Sequence, residues 1–177
     1  DRINTSLPMA IKSLSASTYD NYEIHLNIPK NQKTTALKYE YPSWASQFNK
    51  LRVFTDLEDL GPKTKIIPTL LRVEDPDAVI ITADDDIVYH PDMVGYHIDA
   101  RLVYGDCAIG FSGTKASRLY MTLKEDMEVD ILDNYKTASY KHSMFGDDFF
   151  SQYADKSWND DIIISAYLRD RGIKKIV

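Results

Sequence analysis

Hydrophobic positions along the chain switch repeatedly between a helical and a strand-like period. Leu7, Ile11 and Leu14 share one face of a helix expected over residues 5–15. Asn4 or Thr5 can cap it, and Pro8 is tolerated in its first turn. Over 23–28 the period becomes two and puts Ile24, Leu26 and Ile28 on one side of a strand. A short helix is expected after Pro42, and a second strand over 51–55. Ile66, Ile67, Leu70 and Leu71 predict a helix over 62–72, kinked or shortened by Pro68. The β-branched run Val79-Ile80-Ile81 follows the turn residues Asp75-Pro76-Asp77 and predicts a strand buried on both faces. A helix over 91–104 should bury Val94, Ile98 and Leu102, and a strand is expected over 107–111. Strands are also expected over 120–123 and 128–132, followed by an aromatic, aperiodic stretch over 135–153. Asn159 caps a helix over 159–169 that buries Ile162, Ile163, Ala166 and Leu168; Gly172 ends it and a strand over 173–177 closes the chain. Such alternation specifies an α/β layered domain.

Composition narrows the function. A chain of 177 residues, 44% hydrophobic and 27% charged, is long enough for one domain with its own core. A net charge of −6 argues against nucleic acid as the main partner. No apolar run reaches membrane-spanning length. The single cysteine, Cys107, excludes an internal disulfide and fits a reducing, cytoplasmic setting; its apolar neighbours suit a small buried residue. Twelve tyrosines suit either sugar or base stacking or ordinary half-buried packing.

Three stretches carry chemistry. The strand over 79–81 runs through Thr82-Ala83 into Asp84-Asp85-Asp86. Adjacent carboxylates repel unless something positive is present, and a hard divalent cation, magnesium or manganese, would supply that charge. Ligands of open α/β sheets sit beyond the carboxyl ends of strands, where this cluster falls. The ordinary alternative is a solvated acidic turn. Gly61-Pro62-Lys63-Thr64-Lys65 opens a predicted helix with a glycine turn, two lysines and a threonine, a phosphate-binding combination, although the Walker spacing is absent. Trp158-Asn159-Asp160-Asp161 puts two acids in a first helical turn. Acids there offset the helix dipole, and one of them could also act as a general base.

In this order the three stretches resemble the nucleotide-sugar glycosyltransferases of the GT-A fold, especially family-2-like members with an Asp-x-Asp motif. Further echoes are Ser13-Leu14 in the first helix and the strand Ile24-His25-Leu26-Asn27-Ile28-Pro29. The resemblance implies a Rossmann-like three-layer α/β/α domain with a mostly parallel, mixed central sheet over 1–177. It implies transfer of a hexose from a nucleoside-diphosphate sugar, a UDP-sugar by family frequency, to a carbohydrate or glycoconjugate hydroxyl, with inversion. Asp86 then holds Mn²⁺ or Mg²⁺, Asp84 reaches the ribose or the metal, and Asp85 reaches the donor sugar. Gly61, Lys63, Thr64 and Lys65 hold the donor. Asp161 is the base, with Asp160 the alternate. Residues 136–158 would form a lid and acceptor surface, with Trp158 and Tyr140 stacking on sugar. One departure is that family members place a strand before the first helix, whereas this chain opens at Asp1-Arg2. The expectation is a missing first strand or a fragment of a longer chain. The family's acidic base contact is also replaced, by Asn27-Ile28-Pro29.

Two other readings fit the same residues. Asp84-x-Asp86-x-Val88 also fits a haloacid-dehalogenase-like, magnesium-dependent phosphatase with Asp84 as nucleophile, although that motif belongs on a domain's first strand. A non-catalytic domain that binds nucleotide sugars or glycans is the other. An EF-hand loop is excluded, since Tyr89 stands where glycine is required.

Overall fold

The structure, a computed structural model, describes residues 2–33, 37–115, 126–157 and 159–177. It is a mixed α/β protein with small sheets. The chain divides into two compact units, Asp1–Arg72 with Asp84–Tyr96, and Val73–Ala83 with His97–Val177. The expected strand over 120–123 lies outside the described residues.

In the first unit, helix α1 (Leu7–Ser15) and the parallel strands β1 (Ile24–Pro29) and β2 (Leu51–Leu57) meet the expectations within two residues. Leu7, Ile11, Ala45 and Leu51 form the core, with Ile24, Leu26, Trp44 and Phe48 packed against it. The short helix after Pro42 is a 3-10 helix, Ser43–Gln47. The helix expected over 62–72 is broken. A 3-10 helix, Gly61–Lys65, precedes a single α-turn, α2 (Ile67–Leu70). Pro62 and Pro68 each stand in the first turn of their piece, where the missing backbone donor costs nothing, but Pro68 cannot continue a helix begun at Gly61.

The second unit is built on a four-stranded sheet in the order β3 (Val79–Ile81), β7 (Ala138–Lys141), β4 (Ala108–Gly110), β8 (Lys175–Ile176). Of its pairings only β4–β8 is parallel; β7 is antiparallel to both β3 and β4. The sheet is mixed, as expected, but two of its three pairings are antiparallel rather than most being parallel, and both are made by β7, which falls in the stretch that showed no period. Strands β5 (Gly113–Thr114) and β6 (Ile131–Leu132) form a separate antiparallel pair. A Cβ at Gly110 would lie 2.7 Å from Leu132 Cδ1, so the buried Leu132 side chain would have to shift to admit one.

Helix α3 (Met93–Tyr104) buries Met93, Val94, His97 and Arg101. It does not bury Leu102, which is 83% exposed; a polar stripe at i, i+4 replaces the aliphatic one expected. Helix α4 (Asp160–Asp170) buries Ile163, Ile164, Tyr167 and Leu168 and exposes Ile162, one position off the expected face. Its end is a Schellman turn. Gly172 adopts φ +68°, its N–H donates to the Arg169 carbonyl at 2.9 Å, and Ile173 N–H donates to Leu168 at 2.8 Å. Phe145, Phe149 and Tyr167 stack into an aromatic cluster, with the Phe145–Phe149 and Phe149–Tyr167 ring centroids each 5.0 Å apart.

Candidate functional site

In the first unit, the acid turn over 84–86 is held by two cations. Lys65 Nζ donates to Asp84 Oδ1 at 2.7 Å. The Arg2 guanidinium lies 2.9 Å from Asp85 and 3.3 Å from Asp86. Asp85, then Asp86, raise the Arg2 pKa, so the guanidinium stays charged. That pair is exposed and worth no more than about 1 kcal/mol, so an incoming group can displace it. The Lys65–Asp84 pair is mostly covered and geometrically tighter.

Tyr89 fixes the backbone of the same turn. Its hydroxyl accepts from Asp84 N–H at 2.6 Å and donates to the Asp84 carbonyl at 3.3 Å. Burial pushes the Tyr89 pKa up, which keeps the donor proton in place. Tyr89 N–H in turn donates to Ser13 Oγ of α1 at 2.9 Å. Tyr89→Phe should cost about 1–2 kcal/mol of stability, read as a lower urea midpoint at unchanged slope. A midpoint equal to that of the unsubstituted protein would remove this clamp.

The lysine turn differs from the expected phosphate-binding helix start. Gly61 takes φ +64° and its N–H donates to Asp59 Oδ1 at 2.8 Å, so the first amide is already satisfied. Thr64 Oγ1 accepts from Leu60 N–H at 3.0 Å. Lys63 and Thr64 are both buried. Lys65 brings its charged end to the acid turn.

In the second unit, Asn159 caps α4 as expected, accepting from Ile162 N–H at 2.9 Å. Asp160 and Asp161 occupy the first turn, where the helix dipole favours negative charge. Asp160 is buried, whereas Asp161 is half-buried. Asp161 Oδ1 accepts from the Asn134 backbone N–H at 2.8 Å and from Asn134 Nδ2 at 2.9 Å. Asn134 Oδ1 accepts from Tyr140 Oη at 2.7 Å and from Thr82 Oγ1 at 3.2 Å. Tyr140, expected to stack on an acceptor, is instead wholly buried in β7 with its hydroxyl on Asn134. Burial, with the Asp161 and Asp160 charges adding, pushes its pKa well up, so it remains a donor. Trp158, the other acceptor residue expected, lies outside the described residues.

No family model matches the chain, and no curated protein matches it. What the site can do therefore rests on its own geometry.

The implied divalent cation can be tested on donor chemistry. Among the described residues no three His, Cys, Asp or Glu side chains converge on one point. The acid turn nevertheless offers hard carboxylate oxygens, and the Asp86 side chain, at 45% exposed, is the most open of the three. Magnesium commonly takes one or two carboxylates, with substrate phosphates and water completing its shell. The residues present fit that mode, and they do not form an all-protein cage.

Arg2, Tyr89 and Asn134 were not anticipated from the sequence. Arg2 reaches its partners across more than eighty positions, and no local pattern announces such a pair. Tyr89 could have been suspected from its place just after the acids. Asn134 sits in an Asp-Asn turn after β6 and resembles any loop asparagine.

Proposed function

We propose that this protein is a metal-dependent glycosyltransferase of GT-A type, moving a hexose from a nucleoside-diphosphate sugar, with UDP the first nucleotide to try, onto an acceptor hydroxyl with inversion. The observation that carries this reading is the 2.7 Å ion pair between Lys65 and Asp84. It joins the lysine turn and the acid turn, nineteen positions apart, into one cluster of cations and carboxylates. A diphosphate needs both: positive side chains for its oxygens, and carboxylates for the cation that accompanies it.

Asp86, with Asp84, would hold that cation, which would offset the charge developing on the departing diphosphate. Lys65 and Arg2 bind phosphate oxygens when the donor draws them off their carboxylates. Asp161 removes the acceptor proton; the acceptor oxygen bonds to the anomeric carbon as the bond to the diphosphate breaks. Asp161 serves better than Asp160 because it is the more accessible of the two.

The test is a panel of nucleotide sugars read by thermal shift, with and without manganese. A ligand at about 100 times its Kd stabilises by about 2.7 kcal/mol, roughly 5–10 °C for a chain of this size. One nucleotide sugar should produce that shift only with metal, and Asp86→Ala should abolish it. Equal stabilisation of Asp86→Ala would remove Asp86 from the metal site. A shift that ignores metal would remove the metal from the reading.

A further inference from the structure

The base assigned under the proposed function is Asp161, and this inference rests on that reading. Among the described residues no cation bonds the Asp161 carboxylate, and both hydrogen bonds to it come from one residue. Asn134 places its backbone N–H and its side-chain Nδ2 on the same oxygen, Oδ1, at 2.8 and 2.9 Å. No bond to Oδ2 is formed among the described residues.

The orientation of the Asn134 amide is not arbitrary. An asparagine amide is assigned from its hydrogen-bond partners, and here they agree. Tyr140, protonated and wholly buried, has its hydroxyl 2.7 Å from one end of the amide. Thr82 Oγ1 lies 3.2 Å from that same end while accepting the Ala138 N–H at 3.1 Å. An ionised carboxylate only accepts, so the amide end 2.9 Å from Asp161 is the NH₂ and the end facing the two hydroxyls, which can donate, is the oxygen. Asn134 itself is fully buried. A buried asparagine whose carbonyl accepts from Tyr140 therefore presents its donor to a carboxylate that is half open.

We propose that Asn134 is the positioning residue for Asp161: its two N–H groups tie Oδ1 and leave Oδ2 as the oxygen that receives the acceptor proton. Asn134 acts through Asp161 and does not itself touch the substrate. A one-oxygen grip of this kind fixes the plane and tilt of the carboxylate, which sets the angle at which the proton is taken. Proton transfer needs hydrogen-bond reach and alignment, and misplacing a catalytic group by about 1 Å can cost about 10²-fold in rate.

The roles in folding and in positioning separate in Asn134→Asp. That substitution keeps an oxygen facing Tyr140 and Thr82, but it replaces the NH₂ facing Asp161 with a second oxygen. With the nucleotide sugar and acceptor found active for the unsubstituted protein, Asn134→Asp should lower kcat by about 10²-fold while donor KM stays within about twofold. A folded Asn134→Asp protein with kcat within about threefold would overturn the positioning role and leave the proposed function standing. An unsubstituted protein that transfers nothing to any acceptor would remove the function and this inference together. Should Asn134→Asp not fold, the ¹⁵N–¹H spectrum of the unsubstituted protein decides. The backbone and side-chain N–H signals of Asn134 should move upfield together in Asp161→Asn, and stationary signals would overturn the inference.

Discussion

Asp161→Asn should lower the kcat of sugar transfer by about 10³-fold while leaving donor binding unchanged, since general-base assistance is commonly worth 10² to 10⁴. The substitution is conservative where it matters. An amide oxygen at the position of Oδ1 still accepts from Asn134 N and Nδ2, so the first turn of α4 keeps its contacts. What is lost is the ability of the other atom to take a proton. At 1.36 kcal/mol per tenfold, the expected loss is about 4 kcal/mol of transition-state stabilisation. Steady-state kinetics with saturating acceptor would read it. A kcat within tenfold of the original would place the base elsewhere. Asp160 would not be the natural replacement, because it is buried beneath the same turn.

Acidification should weaken the fold through His97. This ring is wholly buried, its Nε2 lies 3.1 Å from Thr137 Oγ1, and Phe111 packs 5.0 Å from its centroid. Burial, and after it the Arg101 charge one turn along α3, push its pKa down from 6.5 to about 4. The folded protein therefore holds this imidazole neutral at a pH where the unfolded chain would protonate it. Its contribution is whole above about pH 6.5 and falls away as pH drops toward 4. Over that span the loss is about 3 kcal/mol, at 1.36 kcal/mol per unit. Carboxylates titrate in the same range, so the informative quantity is a difference. Between pH 7 and 4.5, urea unfolding of the unsubstituted protein should lose about 2–3 kcal/mol more than that of His97→Gln. Equal losses would mean that His97 is protonated without cost.

Much of the fold could be read from period alone, where one face is apolar and the other is not. The helix carrying Leu7 and Ile11 and the strands carrying Ile24 and Leu51 formed where expected. Asn159 and Gly172 marked the ends of α4 through local backbone chemistry, which a sequence displays directly. The failures share a cause. Strand β7 is Ala138-Ser139-Tyr140-Lys141, and its buried serine is satisfied by Arg101 at 3.1 Å, thirty-eight positions away. Helix α3 turns His97 and Arg101 inward because Thr137, the Cys107 carbonyl and Ser139 receive them. In both places a polar group is buried because a distant partner meets it, and no window of neighbouring residues contains that partner. The same holds at each of the two acid turns. The acids at 84–86 and 160–161 were visible as residues. Of the partners that orient them, Tyr89 stands just after its acids in the sequence, whereas Arg2 and Asn134 became visible only with the tertiary structure.

The central claim is that the acid turn grips a divalent cation against the diphosphate of a donor. The most direct measurement is anomalous scattering from a crystal grown with manganese and the stabilising nucleotide sugar. The account predicts one manganese peak within about 2.3 Å of an Asp86 carboxylate oxygen and in contact with diphosphate oxygens, with Arg2 moved off Asp85. A manganese peak away from residues 84–86, or a bound donor with Arg2 and Lys65 still on their carboxylates, would contradict it.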